Sequence, residues 1–114
     1  MATAYVEYGQ LNAAPVAGYQ TGSVARPLFG TCIATEALTI AGTASTGTVT
    51  GAATKTVARI TADTACFFAI GTTPNPAATA ANGAVTGSKR YLPAGQAVEV
   101  ILASGAKVAV IAIS

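Results

Sequence analysis

The chain contains no histidine and no tryptophan, and its whole supply of carboxylate side chains is Glu7, Glu36, Asp63 and Glu99. The missing imidazole removes the side chain that most often moves protons near neutral pH. The four carboxylates are scattered, with no pair close in sequence, so no catalytic residue is expected. Two cysteines without a histidine are also too few ligands for a metal site, which takes about four. No cofactor and no small-molecule substrate is expected. Charge is scarce: 9% of residues are charged, against about a quarter in an ordinary soluble domain, and the net charge is +2. Cationic side chains are spread thinly, with no run beyond Lys89 and Arg90, so there is no footprint for nucleic acid. No uninterrupted apolar run of about 18 residues occurs, so no membrane span is expected. The first ten residues carry Glu7 and lack both a basic start and an apolar stretch, unlike a secretory leader. The expectation is a chain made and kept in the cytosol.

What the chain does have is small and apolar. Its 114 residues and 11.1 kDa fit one domain. Apolar residues reach 52%, but nearly half of them are alanine, so the core is thin. A domain of this size buries about two thirds of the surface its unfolded chain exposes. A partner surface is therefore expected to add burial, and the low net charge favours association. A homo-oligomer, dimer or trimer, follows. Cys32 and Cys66 lie among apolar residues and are expected to be buried free thiols, since two cysteines alone make no disulfide framework.

With 17 threonines and 10 valines beside 12 glycines and 5 prolines, the residue types are those of strands and turns. No sustained 3.6-residue period is present. Strands are predicted over residues 4–8, 28–34, 37–41, 55–61, 65–70, 97–102 and 107–113. The expected fold is all-β, an antiparallel β-sandwich or jelly-roll-like barrel of about seven or eight strands. The last two strands read as a hairpin closed by a turn at residues 103–105. In the final strand both faces are apolar, which places it in a sheet interior or under a neighbour. Residues 42–54 contain only Gly, Ala, Ser, Thr, one Val and, at the end, Thr54, and read as a long loop or weak hairpin. Residues 72–88 begin Thr-Thr-Pro-Asn-Pro, and Pro74 and Pro76 remove two ladder donors, so this segment leaves a strand end and travels over the surface.

Two sequences hint at chemistry and fail. Gly83-Ala-Val-Thr-Gly87-Ser88-Lys89 has three residues between its glycines where a phosphate-binding loop has four, and its lysine follows the serine instead of preceding it. Ser88 and Lys89 are adjacent and point to opposite sides of an extended chain, so they read as a polar turn before Tyr91. Tyr5, Tyr8 and Tyr19 crowd the first twenty residues, with Val6, Leu11 and Val16 as the main other apolar material there. Residues 1–20 are either an N-terminal arm docking its rings on a neighbouring subunit or a first strand and loop packed on the chain's own sandwich. Residues 21–114 form a single sandwich domain. The candidate subunit-interface residues are Tyr5, Val6, Tyr8, Leu11 and Tyr19.

The C-terminal half carries an ordered set of features: Ala58-Arg59-Ile60-Thr61, Asp63-Thr64-Ala65-Cys66, Ile70-Gly71-Thr72-Thr73-Pro74, Tyr91-Leu92-Pro93-Ala94-Gly95, Val98-Glu99-Val100, and Gly105-Ala106-Lys107-Val108-Ala109-Val110-Ile111. This resembles a class of small tailed-phage virion proteins in which a strand ending in a Gly-Thr-x-Pro turn precedes a Leu-Pro-Ala-Gly turn and a closing hairpin. The resemblance spans residues 38–113. The last turn departs from the pattern, with Gly105-Ala106-Lys107 where Gly-Asp-Lys is usual. The resemblance implies a non-enzymatic capsid decoration or cement protein, sandwich or jelly-roll in fold. Such a protein is made in the host cytoplasm and clamps neighbouring major capsid protein subunits on the phage head surface. No catalytic residues come with it. The alternative is a receptor- or glycan-binding domain of a phage tail or head fibre, which wants exposed aromatic platforms; outside the N-terminal region only Tyr91 offers one among the tyrosines.

Overall fold

The structure, a computed structural model, describes residues 2–11, 29–76 and 89–113. Among these residues it is all β, with eight strands: β1 (Thr3–Leu11), β2 (Phe29–Thr39), β3 (Ser45–Thr46), β4 (Val57–Ala62), β5 (Cys66–Gly71), β6 (Arg90–Leu92), β7 (Ala97–Ile101) and β8 (Lys107–Ala112). They form two antiparallel four-stranded sheets, sheet A in the order β2-β1-β4-β7 and sheet B in the order β3-β8-β5-β6. The sheets face each other as a β-sandwich.

The period-two alternation decides which residues meet between the sheets. From sheet A come Ala4, Val6 and Tyr8 of β1, Leu38 of β2, Ala58, Ile60 and Ala62 of β4, and Val100 of β7. From sheet B come Cys66 and Phe68 of β5, Leu92 of β6, and Val108 and Val110 of β8. Register fixes the rows, with Val6 opposite both Glu36 and Ile60, and Ile60 opposite Val98. Deleting a buried side chain such as Ile60 from this row typically costs about 2–5 kcal/mol. The final strand is interior as expected, flanked by β3 and β5, with Val108, Ala109 and Val110 fully buried.

Several expectations are corrected. Residues 4–8 do not form a detachable arm: they belong to a strand running between β2 and β4, and Val6 and Tyr8 are both 0% exposed in the chain's own core. The sequence makes this segment look isolated because the residues that complete its burial, on β2 and β4, lie more than twenty positions away in the chain. The two strands expected over residues 28–34 and 37–41 are one strand, β2, with irregularities opposite Tyr8/Gly9 and Gly9/Leu11. The strand passes through Glu36 unbroken because that carboxylate finds partners between the sheets.

The expected terminal hairpin is an arch between sheets. β7 pairs with β4, whereas β8 pairs with β5 and β3. The connection crosses the sandwich because Leu102 and Ala106 are both buried, and the Leu102 amide donates to the Thr56 carbonyl (2.7 Å). Residues 42–54, read from composition as a long loop or weak hairpin, supply the edge of sheet B. Ser45 and Thr46 pair with Val110 and Ala109, and the amides of Gly47 and Gly51 donate to the carbonyls of Val108 and Ala106, each at 2.8 Å. The smallness of these residues is what the position requires. A Cβ on Gly47 would run into the Glu36 carboxylate, and one on Gly51 into the Ala103 carbonyl.

β6, a short strand not predicted from the sequence, pairs with β5, with Cys66, Phe67 and Phe68 opposite Leu92, Tyr91 and Arg90. Cys66 is buried, but Cys32 is exposed, because its part of β2 runs along a sheet edge beyond the regular pairing. Both thiols are free. Of the expected surface segment, residues 77–88 lie outside the described residues, and with them the Gly83–Ser88 sequence.

Candidate functional site

Three arrangements of polar or exposed groups stand out, and each is assembled by register. The first lies between the sheets. Glu36 faces inward beside Leu38, where its Oε1 accepts a 2.5 Å hydrogen bond from the Tyr8 hydroxyl. Its Oε2 accepts from the Thr48 amide at 3.1 Å and the Thr48 hydroxyl at 3.4 Å. Burial first, then the hydrogen bond and negative charge of Glu36, push the Tyr8 phenol well above its ordinary pKa of 10.0. This is a latch: one carboxylate ties β1 and β2 of sheet A to the β3 edge of sheet B. Burial, with a smaller contribution from Asp63, likewise raises the Cys66 thiol above its ordinary value.

The second is the outer face of sheet A. Glu7, Arg59 and Glu99 stand side by side on β1, β4 and β7. Arg59 donates to Glu99 Oε2 from Nε (3.1 Å) and from a terminal nitrogen (2.7 Å), and its other terminal nitrogen lies 3.9 Å from Glu7 Oε1. Next to this row Tyr5 is 55% exposed, opposite Ala37 and Thr61. A shallow groove of 650 Å³ runs there, lined by Tyr5, Val6, Glu7, Thr35, Glu36, Ala37 and Thr61. Ile101, 65% exposed at the end of β7, and Ile33, 49% exposed on β2, add apolar surface on the same sheet.

The third is the outer face of sheet B. Tyr91, 58% exposed, meets Phe67 edge-on with ring centroids 6.2 Å apart, and the Lys89 ammonium lies 4.3 Å from the Phe67 centroid. Aromatic and cation–π contacts of this kind contribute about 0.5–1 kcal/mol each at exposed positions.

Of the candidate interface residues, then, Tyr5 is available to a partner, whereas Val6 and Tyr8 are spent on the core. The side chain of Leu11 and the whole of Tyr19 lie outside the described residues. Among the described residues no three His, Cys, Asp or Glu side chains gather as metal ligands. What the surfaces can do is bind: a tyrosine beside hydroxyls and a carboxylate on sheet A, an aromatic pair with a cation on sheet B. Sequence reading missed the inward Glu36, although its place two and four residues before buried Leu38 and Ile40 was a usable signal. The Glu7–Arg59–Glu99 row had none, because cross-strand register is not written in any one strand. No family model, curated protein or solved structure matches the chain.

Proposed function

We propose that the chain is a non-enzymatic structural protein of a tailed-phage head, a decoration or cement protein that binds and stabilises the major capsid shell. The observation that carries this reading is where the features shared with small phage virion proteins fall. They occupy consecutive pieces of one framework: β4, the β4–β5 turn, the end of β5, the β6–β7 turn, β7 and β8. The physical character of the surface supports the same role. With 9% charge and a net +2, the molecule presents small, neutral side chains suited to many weak identical contacts, whose strength on a lattice comes from multivalency.

Tyr5 and the groove beside it are the part of the surface offered to the capsid. Cryo-electron microscopy of the parent particle, or copy-number mass spectrometry of it, tests the reading: many copies on the outside of the head support it, and absence from virions overturns it. The groove also favours a second reading, a glycan- or receptor-binding fibre domain, since an exposed ring flanked by Thr35, Thr61 and Glu7 suits a sugar. A few copies confined to the tail, with glycan-array binding abolished by Tyr5→Ala, select that reading instead.

A further inference from the structure

On the β2 side, sheet A ends in backbone without a partner among the described residues. Two hydrogen bonds fix which groups point outward. The Ile40 amide donates to the Ala2 carbonyl (2.9 Å), and the Asp63 amide donates to the Thr3 carbonyl (3.1 Å). In an antiparallel ladder bonded and non-bonded pairs alternate. With Ala4 opposite Leu38, Val6 opposite Glu36 and Tyr8 opposite Ala34, the even-numbered residues of β2 bond to β1. Thr35, Ala37 and Thr39 therefore aim their N–H and C=O groups away from the sheet, and all three are exposed. The regular stretch is bounded by the irregularity at Ile33 and by the corner after Thr39, and its midpoint is Ala37.

We propose that this edge pairs antiparallel with the same edge of a second copy of the chain, about a two-fold axis at Ala37. The two sheets become one of eight strands. The occupant is argued from self-complementarity. A two-fold axis needs an edge that matches itself when reversed, and about Ala37 this one does: Thr35 and Thr39 exchange places and Ala37 lies on the axis. Ala37 then faces Ala37 of the partner subunit, and Thr35 faces Thr39 of the partner subunit, giving about six backbone hydrogen bonds from three bonded pairs.

No bulk and no charge opposes the approach. The outward side chains are small and neutral, and the strand's one charge, Glu36, is turned inward to Tyr8 and Thr48. Lysine and proline, which guard the edges of many monomeric sheets, are missing from Thr35 to Thr39, and the one inward charge there, Glu36, is bonded within the chain. A foreign strand would gain the same backbone bonds but not the matched side-chain rows. This interface selects a dimer over a trimer and stands apart from the head-decoration reading.

The test is the oligomeric state of the full chain by light scattering and analytical ultracentrifugation from about 1 µM to 0.1 mM. The wild type is expected to dimerise in that range. Ala37→Lys, which sets two ammonium groups against each other at the axis, and Ala37→Pro, which removes only an outward N–H, should raise the dissociation constant at least tenfold with the circular-dichroism spectrum kept. In a Cys32→Ser background, Ala37→Cys should form an intermolecular disulfide on oxidation. Native Cys32 should not, because the two thiols stand about 30 Å apart at about 3.3 Å per residue. A wild type monomeric throughout, a trimer, a dimer indifferent to both Ala37 substitutions, or a dimer joined through Cys32 but not through Ala37→Cys would overturn the proposal. Should Ala37→Pro and Ala37→Lys both unfold, the cross-linking pair still decides.

Discussion

At the β3 edge of sheet B, the amides of Gly47 and Gly51 are bonded to the arch and to β8, and the Glu36 carboxylate closes over Thr48 from the other sheet. At the β2 edge of sheet A, the outward backbone groups of Thr35, Ala37 and Thr39 have no partner among the described residues. Both edges are rich in Thr and Ala, so those residues do not separate them. What separates them is position: β3 lies under Glu36 and against β8, where a Cβ on Gly51 would meet the Ala103 backbone carbonyl and one on Gly47 the Glu36 side chain, whereas nothing described flanks β2 on its outer side. Similar residues are locked at one edge and unpartnered at the other.

The comparison can be broken at its root. Deleting residues 2–10 removes the strand on which β2 rests, together with buried Ala4, Val6 and Tyr8. The cooperative urea transition should vanish, whereas an arm would have come away without loss. Next in size, Gly51→Val should destabilise by at least about 3 kcal/mol in urea titration, since its Cβ meets the Ala103 carbonyl and backbone must move.

The latch sharpens the comparison in two ways. Tyr8→Phe leaves Glu36 short of a donor inside the sandwich and should cost about 1–3 kcal/mol. It should also alter the alkaline limb of stability. Tyr8 has a raised folded pKa, so above about pH 10 the unfolded chain loses its proton before the folded one does. Stability is therefore complete below that pH and falls as pH rises, and Tyr8→Phe should flatten the fall. Cys66, also raised, acts in the same direction from about pH 9 upward, so the comparison is cleanest in a Cys66→Ala background.

On the outer face of sheet A, Arg59→Ala should cost no more than about 1 kcal/mol, and less in high salt, because the row with Glu7 and Glu99 is partly exposed. The smallest effect belongs to the open edge. Ala37→Lys should leave the unfolding free energy of the monomer, measured by urea titration below the dimer's dissociation constant, within about 0.5 kcal/mol of wild type, because the edge contributes nothing to the isolated fold. A large loss there would show that the edge is already occupied within the chain.

The sequence by itself determined the class of fold and much of the core. Alternation at Val98, Val100 and Leu102, at Val108 and Val110, and along residues 57–62 depends only on the two-residue repeat of a strand, so an all-β sandwich was legible, as was the interior place of β8. Tertiary structure alone decided who pairs with whom. Residues 97–102 and 107–113 look like a hairpin because they are close in sequence, yet Leu102 and Ala106 draw the connection through the core and send the strands to different sheets. Val6 and Tyr8 look like spare apolar surface until Ile60, Ala58 and Glu36 arrive from elsewhere in the chain. Glu36 looks like a strand break until Tyr8 and Thr48 supply donors, and Arg59 meets two carboxylates only because three strands share a register. Periodicity is a property of one segment and can be read in it; pairing, closure and the state of an edge depend on packing energies between segments, which exist only once the chain has folded.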